Sequence, residues 1–217
     1  MDPGDTPWSA RATETRERIL QAAIELMASQ GYAGTSITEL CERARVVRPV
    51  LYSHFGSKEG LLAALVEHVG NSLIDELAQA YEADSESDGQ ARVIHALDAY
   101  RAFIVERPER LRLLLLITLE RGESSPEVRT AMKRYQQRAV QTIVTVLEDL
   151  VGYPLPDMDL LAITVISVLQ NAMIRRVFDP EGDHFDRLWD EVVRTVALGI
   201  ADRVKQLRAP SAEPPSL

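Results

Sequence analysis

Cysteine is almost missing from this chain of 217 residues, in which Cys41 is the one example. A single cysteine cannot close an internal disulfide, so the fold does not depend on the cross-links that hold small secreted domains together. Aromatic residues are scarce at 6%, and the alternating pattern of a half-buried strand is hard to find. Unbroken apolar runs such as residues 113–117 are far too short to cross a bilayer. The polar first ten residues do not resemble a secretion signal, so we expect a cytoplasmic protein.

Apolar residues recur at helical spacing along most of the chain, which predicts an all-α fold. Gly31 is expected to end the first helix, Ser36 and Glu39 have the spacing of a capping box, and Pro49 fits only the first turn of a helix. Nine helices are predicted, at about residues 13–30, 37–44, 48–54, 58–82, 90–106, 108–121, 126–151, 160–177 and 184–207. We expect residues 1–12 to form a disordered arm and the proline-rich residues 209–217 to form a disordered tail.

Two short predicted helices are joined by a tight turn at residues 45–47 and preceded by a longer helix, which is the pattern of a helix-turn-helix. In that arrangement the second short helix, here beginning at Arg48, enters the major groove of DNA. We assign residues 13–60 to this DNA-binding domain and residues 61–208 to a larger helical domain for ligand binding and dimerisation.

The charge pattern supports a DNA contact at the same place. Residues 43–58 hold four cations and no acid, although the chain has 33 acidic and 24 basic residues and a net charge of −9. A small basic cluster is usually just a solvated surface, and only its lack of acids in an acidic chain argues for more. The acidic remainder of the chain would repel DNA everywhere except at this basic end.

The stretch TRERILQAAIELMASQGYAGTSITELCERARVVRPVLYSHFGSKEGLLAAL, residues 15–65, resembles the DNA-binding domain of the TetR family of bacterial transcription regulators. The resemblance implies nine helices, a homodimer formed through the last two, and a ligand cavity whose occupation releases DNA. It places Leu51 and Phe55 in the core. The candidate DNA contacts are Thr35, Ser36, Arg45, Arg48, Pro49, Val50, Tyr52, Ser53, His54 and Lys58.

Four positions depart from the family pattern. Arg45 stands where the family often has glycine in the turn, and Val47 stands where it often has a serine cap. Pro49 and Val50 replace a common Gly-Thr pair. Loss of the cap is expected to cost the recognition helix about 1 kcal/mol, and Pro49 offsets part of this by fixing φ in advance. Val50 is a candidate to pack on a thymine methyl group.

The helix predicted near residues 160–177 is apolar nearly all round, so one face is expected to pack on a second copy of the chain. With the last helix it predicts a four-helix dimer interface. Its residues are Leu160, Leu161, Val165, Val168, Leu188, Trp189, Val192 and Val196.

The larger domain has more apolar surface than one bundle core needs, so we expect a cavity and a small hydrophobic effector. The candidate contacts are Tyr100, Arg101, Phe103, Leu115, Tyr135, Gln170 and Asn171. Each polar candidate has a plainer interpretation. Arg101 and Tyr135 fit helix edges, and Gln170 and Asn171 fit hydrogen bonds across the dimer interface.

The sequence therefore predicts a TetR-like regulator that binds a palindromic operator as a homodimer, with repression as the default and activation left open. No metal or other cofactor and no membrane partner is assigned, because the four histidines are scattered and no catalytic motif stands out. Cys41 is interpreted as a buried filler, with a redox sensor as the minor alternative. Two alternatives stay open: a sensor or partner-binding protein with a degenerate helix-turn-helix, and an all-α enzyme or lipid carrier.

Overall fold

The structure is a computed structural model that describes residues 7–83, 88–121, 125–154, 156–179 and 184–208, and their side chains at residues 10–83, 88–116, 125–154, 156–179 and 184–200. The described residues form nine α-helices and no strand, which confirms the predicted all-α fold. The helices are α1 (Pro7–Gly34), α2 (Ile37–Ala44), α3 (Arg48–Phe55), α4 (Lys58–Ala83), α5 (Gly89–Glu106), α6 (Pro108–Arg121), α7 (Pro126–Val151), α8 (Met158–Phe178) and α9 (Phe185–Arg208).

Helices α2 to α9 begin and end within two residues of their predicted bounds. The first helix differs, because α1 begins at Pro7, six residues before its predicted start. Proline suits the first position of a helix, and the alanine and arginine residues that follow are good helix formers, so residues 7–12 extend α1 and are not a disordered arm. Residues 1–6 and the predicted tail at 209–217 lie outside the described residues.

Gly31 interrupts α1, as its sequence position predicted. Its φ of 76° and ψ of 169° lie outside the helical region, in a conformation that residues with a Cβ rarely adopt. The break turns the chain, and one further helical turn runs to Gly34. The hydroxyl of Thr35 donates a hydrogen bond of 2.8 Å to the Gly31 carbonyl, which fixes the approach to α2.

The first of two compact units comprises Met1–Ser72 and Arg107–Gln136. In it α1 packs against α2 and α6, and α2 packs against α3. Its fully buried side chains include Ile19, Leu20, Ile24, Met27, Leu40, Leu51, Leu61, Leu65 and Leu111. Cys41 is buried among them, and desolvation raises the pKa of its thiol, which fits a packing role.

The second unit comprises Leu73–Glu106 and Gln137–Leu217. In it α8 packs against α9, and both pack against α5. Its buried side chains include Leu97, Tyr100, Phe103, Leu147, Ala162, Leu169 and Trp189. The units share α4 and α7, which contribute residues to each, and the predicted domain boundary near residue 60 stays a prediction.

Helix α8 is unusual among the described helices because its apolar surface is poorly covered. By length and composition alone it could cross a membrane, a test that core helices of soluble proteins also meet. Only 28% of its most apolar 18-residue stretch is buried within the chain. Leu160 and Ile163 on this helix are 58% and 47% exposed.

Three side chains of the second unit contact one another and form a group that we call the clasp: Tyr81, Arg92 and Asp149. The Tyr81 hydroxyl donates to Asp149 Oδ2 over 2.7 Å, and Arg92 Nη1 donates to the same oxygen over 2.7 Å. The Arg92 guanidinium also lies 3.9 Å from the centre of the Tyr81 ring and donates from Nε to the Tyr81 carbonyl. Burial, followed by the hydrogen bond to Asp149, raises the pKa of Tyr81 to about 12, while the Tyr81 hydroxyl lowers the pKa of Asp149.

We expect the free energy of unfolding of Tyr81→Phe to fall less steeply than that of the parent protein as pH rises above 10.0. The raised pKa of Tyr81 means that its stabilising effect is full below the ordinary tyrosine pKa of 10.0 and is lost as pH rises towards about 12. Urea unfolding across this interval should show the parent protein losing more free energy of unfolding than Tyr81→Phe.

The exposed Tyr153 provides the matched control, because Tyr153→Phe removes a phenol that the fold does not bury. This variant should follow the parent profile. A parallel decline of Tyr81→Phe and the parent between these pH values would show that the clasp does not couple tyrosine ionisation to folding.

Candidate nucleic-acid interface

The connection between α2 and α3 is a tight turn with one left-handed residue. Ser36 caps α2 by accepting a hydrogen bond from the Glu39 backbone N–H over 3.1 Å, as the capping-box spacing predicted. Arg45 ends α2 with φ 55° and ψ 50°, a conformation that favours glycine. Its backbone N–H donates to carbonyls in the last turn of α2, so the turn is closed despite the side chain.

The start of α3 has no side-chain cap. Val47 occupies the capping position with an extended backbone and makes no capping hydrogen bond. Its side chain is 64% exposed, which is high for a branched apolar residue. Pro49 in the first turn restricts φ where no backbone donor is needed.

Helix α3 divides sharply into a buried and an exposed face. Leu51 is fully buried and Phe55 is 9% exposed, as their predicted core roles require. The opposite face is exposed to solvent. It carries Arg48, Pro49, Tyr52 and Ser53.

The cations near α3 differ in their surroundings. Arg43 pairs with Glu25 over 2.9 Å, so its charge is largely offset. Arg45 and Arg48 are exposed and have no ion-pair partner among the described residues. Arg48 donates a hydrogen bond to the Thr38 hydroxyl, which holds its guanidinium beside α2. Two unneutralised guanidinium groups therefore lie on the exposed side of the helix-turn-helix.

Lys58 is held at the start of α4 by the first helix. Its Nζ donates to the Tyr32 carbonyl over 2.6 Å and lies 4.1 Å from the centre of the Tyr32 ring. The Tyr32 hydroxyl in turn donates to Glu59 over 2.7 Å. The Lys58 ammonium group therefore lies at the start of α4, with one of its three N–H donors bonded to the Tyr32 carbonyl.

The remaining predicted DNA contacts differ in how exposed their side chains are to solvent. Ser36 and Ser53 are exposed, whereas Val50 and His54 are half-buried. Thr35 is 1% exposed, and its hydroxyl is used by the Gly31 carbonyl. Its side chain therefore supports the break after α1, and its contact with a phosphate stays a prediction.

Sequence analysis missed three residues at this surface. Thr38 orients Arg48, and nothing in its sequence position signals that contact. Tyr32 holds Lys58, although only its place in the GY..TS motif could have singled it out. Val47 was read as a missing cap, yet its exposed apolar side chain is itself a candidate to meet a base methyl group.

The second unit contains an apolar cavity of about 50 Å³. Its lining comes from α4, α5, α7, α8 and α9, and Thr142 is its one polar side chain. None of the seven predicted ligand contacts lines it. Tyr100, Arg101, Phe103, Gln170 and Asn171 lie elsewhere in the second unit, while Leu115 and Tyr135 belong to the first.

Most of those seven residues have structural partners. Tyr100 stacks on Trp189, Arg101 pairs with Asp186, and Phe103 is 1% exposed. Burial raises the pKa of Tyr135. Its ring packs against Gly70, where an added Cβ would lie only 2.5 Å from the ring. Asn171 is exposed in an open groove beside α9.

The predicted dimer residues also separate into two groups. Four of them face the interior of their own unit and are at most 7% exposed: Val165, Trp189, Val192 and Val196. Leu160 is exposed, and Leu161, Val168 and Leu188 are half-buried. Helical periodicity had marked these residues as apolar without showing which side of each helix the chain itself covers.

Two short helices joined by a tight turn, with the second one exposing one face to solvent, have the geometry of a helix-turn-helix. Residues 19–65 match the family described as bacterial regulatory proteins, tetR family. This match confirms, for residues 19–65, the resemblance to the TetR family seen in the motifs of that stretch.

Relatives and solved structures agree with this assignment. The chain is 37% identical over 102 residues to the HTH-type transcriptional activator FasR of Mycolicibacterium smegmatis, covering 46% of this chain and 45% of FasR. It is 40% identical over 60 residues to the HTH-type transcriptional repressor Rv3405c of Mycobacterium tuberculosis, covering 28% and 32%. The match thus spans less than half the length of either relative.

Two structures show the same fold across most of the chain. A transcriptional regulator from Pseudomonas aeruginosa PAO1 superposes with a TM-score of 0.74 at 17% identity, covering 89% of this chain and 93% of that one. FadR from Bacillus subtilis in complex with stearoyl-CoA superposes with a TM-score of 0.70 at 16% identity, covering 84% and 98%.

We expect Val47→Ser to raise the free energy of unfolding by about 1 kcal/mol, because serine can cap the α3 backbone where valine cannot. Val47 is exposed, so its removal leaves no cavity. Urea denaturation measures the difference. Val47→Ala lacks the hydroxyl and is the control; equal stability of the serine and alanine variants would contradict the missing cap.

Proposed function

We propose that this protein is a TetR-family transcription regulator that binds DNA through the exposed face of α3. The observation that carries the proposal is the pair of unneutralised guanidinium groups, Arg45 and Arg48, beside the exposed Tyr52 on a helix anchored by Leu51 and Phe55. Arginine can bond guanine O6 and N7 or a phosphate, and the tyrosine hydroxyl can bond a phosphate.

Lys58 and Ser36 extend this surface to the DNA backbone. Lys58 lies in the first turn of α4, where the positive end of the helix dipole favours a phosphate. The Ser36 hydroxyl accepts from the Glu39 N–H and can still donate its own proton to a phosphate. The proposal places the protein in the cytoplasm with the DNA.

DNA binding should depend strongly on salt, with a log–log slope of several units, and Arg48→Ala should reduce the size of that slope by about one. Binding to a mixed-sequence duplex is measured by fluorescence anisotropy over a series of salt concentrations. The reduction is expected because Arg48 is exposed and has no carboxylate partner among the described residues.

Arg43→Ala is the matched control, since it removes the same charge from the same segment but from a residue already paired with Glu25. It should change the slope less than Arg48→Ala does. Equal slopes for the parent and Arg48→Ala would contradict the assigned interface and favour a degenerate helix-turn-helix.

A homodimer is the second part of the proposal. The exposed face of α8 carries Leu160, Ile163, Thr164 and Ser167, whose spacing of three and four residues forms one stripe. Leu198 on α9 is 63% exposed. A second copy related by two-fold symmetry would cover this surface, and two copies of α3 would then meet successive major grooves of a palindromic operator.

Leu160→Glu combined with Ile163→Glu should convert the dimer to a monomer, because a carboxylate buried at an apolar interface is strongly unfavourable. Sedimentation equilibrium measures the mass. Thr145→Glu, on the exposed side of α7, is the control and should leave the mass unchanged. A parent protein that sediments as a monomer would contradict the dimer.

The apolar cavity of the second unit is the proposed effector site. Its lining has no charged side chain, which favours a hydrophobic ligand. The FadR structure contains stearoyl-CoA, and that ligand has a long apolar chain. An effector that binds one conformation of this unit better than another shifts the population between them. Repression by occupation of the operator is the default outcome, and a transcription assay decides between it and activation.

A further inference from the structure

Thr38 and Arg48 connect the exposed sides of the two short helices. Thr38 lies in the first turn of α2, and Arg48 begins α3. Although the two residues are ten apart in the chain, Arg48 Nη2 donates a hydrogen bond to the Thr38 hydroxyl. Both side chains are exposed. Because water competes for both groups, this bond adds little to stability, and its main effect is to restrict where the guanidinium lies.

The backbone on each side of this contact is fixed by burial. Leu40 on α2, two residues after Thr38, is fully buried. Leu51 on α3, three residues after Arg48, is also fully buried, and the two helices pack against each other. Pro49 restricts the backbone next to Arg48. The hydrogen bond therefore joins two rigid supports, which is what holding a recognition group in one geometry requires.

The contact with Thr38 leaves Arg48 able to recognise a base. A guanidinium group has two edges that each present two parallel N–H donors, and Nη2 contributes one hydrogen to each edge. Whichever of these hydrogens the Thr38 hydroxyl accepts, the other edge remains complete. Guanine presents O6 and N7 side by side in the major groove, where two parallel donors match them. Since threonine is neutral, the positive charge of Arg48 also remains available to DNA.

Arg45 provides a contrast on the same surface. Its side chain is exposed, and within the described part of the chain it has neither a side-chain hydrogen bond nor an ion pair. An unrestrained arginine loses more conformational entropy on binding than one that is already held. Arg45 therefore suits a phosphate, which accepts donors from many directions. Arg48 suits a base edge, which requires one geometry.

We propose that Thr38 is a positioning residue for guanine recognition, which holds the Arg48 guanidinium so that one edge donates to O6 and N7 of a guanine in the operator. The inference rests on the DNA binding proposed above. It adds the base that Arg48 reads and the residue that makes this reading selective. Arg45 contributes its charge to the attraction for any duplex, and Thr38 contributes only to the choice of sequence.

The first test identifies the base. The full chain is incubated with duplexes whose central region is randomised, and sequencing of the bound fraction gives the preferred base at each position. The parent should select guanine at a defined position and bind that duplex about tenfold more tightly than one with adenine there, the scale of a bidentate arginine contact. Replacing this guanine by 7-deazaguanine removes the N7 acceptor and should also weaken binding.

The second test changes Thr38. Thr38→Val keeps the branched shape and removes the acceptor, so the preference for guanine over adenine should fall to about threefold. The salt slope on a mixed-sequence duplex should stay that of the parent, because no charge is removed. Thr38→Ser restores a hydroxyl and should recover the preference. Arg45→Ala is the converse variant, with a smaller salt slope and the parent's preference for guanine.

A double variant shows whether Thr38 acts through Arg48. Arg48→Ala should lose the preference for guanine, and adding Thr38→Val should then change nothing further. A further change in base preference would mean that Thr38 contacts the base directly, and it would overturn the positioning role.

The outcomes separate the inference from the proposed function. Binding without selection of guanine, insensitivity to 7-deazaguanine, or a Thr38→Val protein with the parent's preference would overturn the inference and leave DNA binding in place. Failure of Thr38→Ser to recover the preference would do the same. Absence of any salt-dependent binding to a duplex would overturn the proposed function together with the inference.

Discussion

The burial of Leu51 and Phe55 is the constraint on which the DNA-binding surface depends. Both side chains point into the first unit, and a helix that buries one face must turn the opposite face outward. Arg48 and Tyr52 lie on that opposite face and therefore reach solvent. The short α3 lacks a side-chain cap, so tertiary packing rather than intrinsic helix stability holds it in place. The exposed face can change its specificity freely as long as the two anchors remain.

The cations near α3 differ in whether another side chain of the protein contacts them. Arg43 is neutralised by Glu25, and Lys58 is held against the ring and carbonyl of Tyr32. Arg45 and Arg48 remain without carboxylate partners among the described residues. Because the chain is otherwise acidic, DNA should repel the rest of its surface and attract the part that carries Arg45 and Arg48. The protein should therefore approach DNA in one orientation.

The sequence predicted the helices well because their ends carry strong local signals. Ser36 before α2, Pro108 at the start of α6 and Pro126 at the start of α7 act within a few residues of themselves. The ligand-binding and dimer-interface residues were harder to predict from the sequence. Trp189 and Leu160 are both apolar at helical spacing, but one faces its own unit and the other faces solvent. That difference depends on how several helices pack, which no local pattern encodes.

The apolar cavity of the second unit bears on how the protein responds to hydrostatic pressure. Internal voids disappear when a chain unfolds, so they contribute to the volume decrease of unfolding. A void of about 50 Å³ lined by apolar side chains is poorly suited to hold ordered water. Compression should therefore loosen the second unit through this void, and any molecule that fills the space should make the unit more resistant to compression.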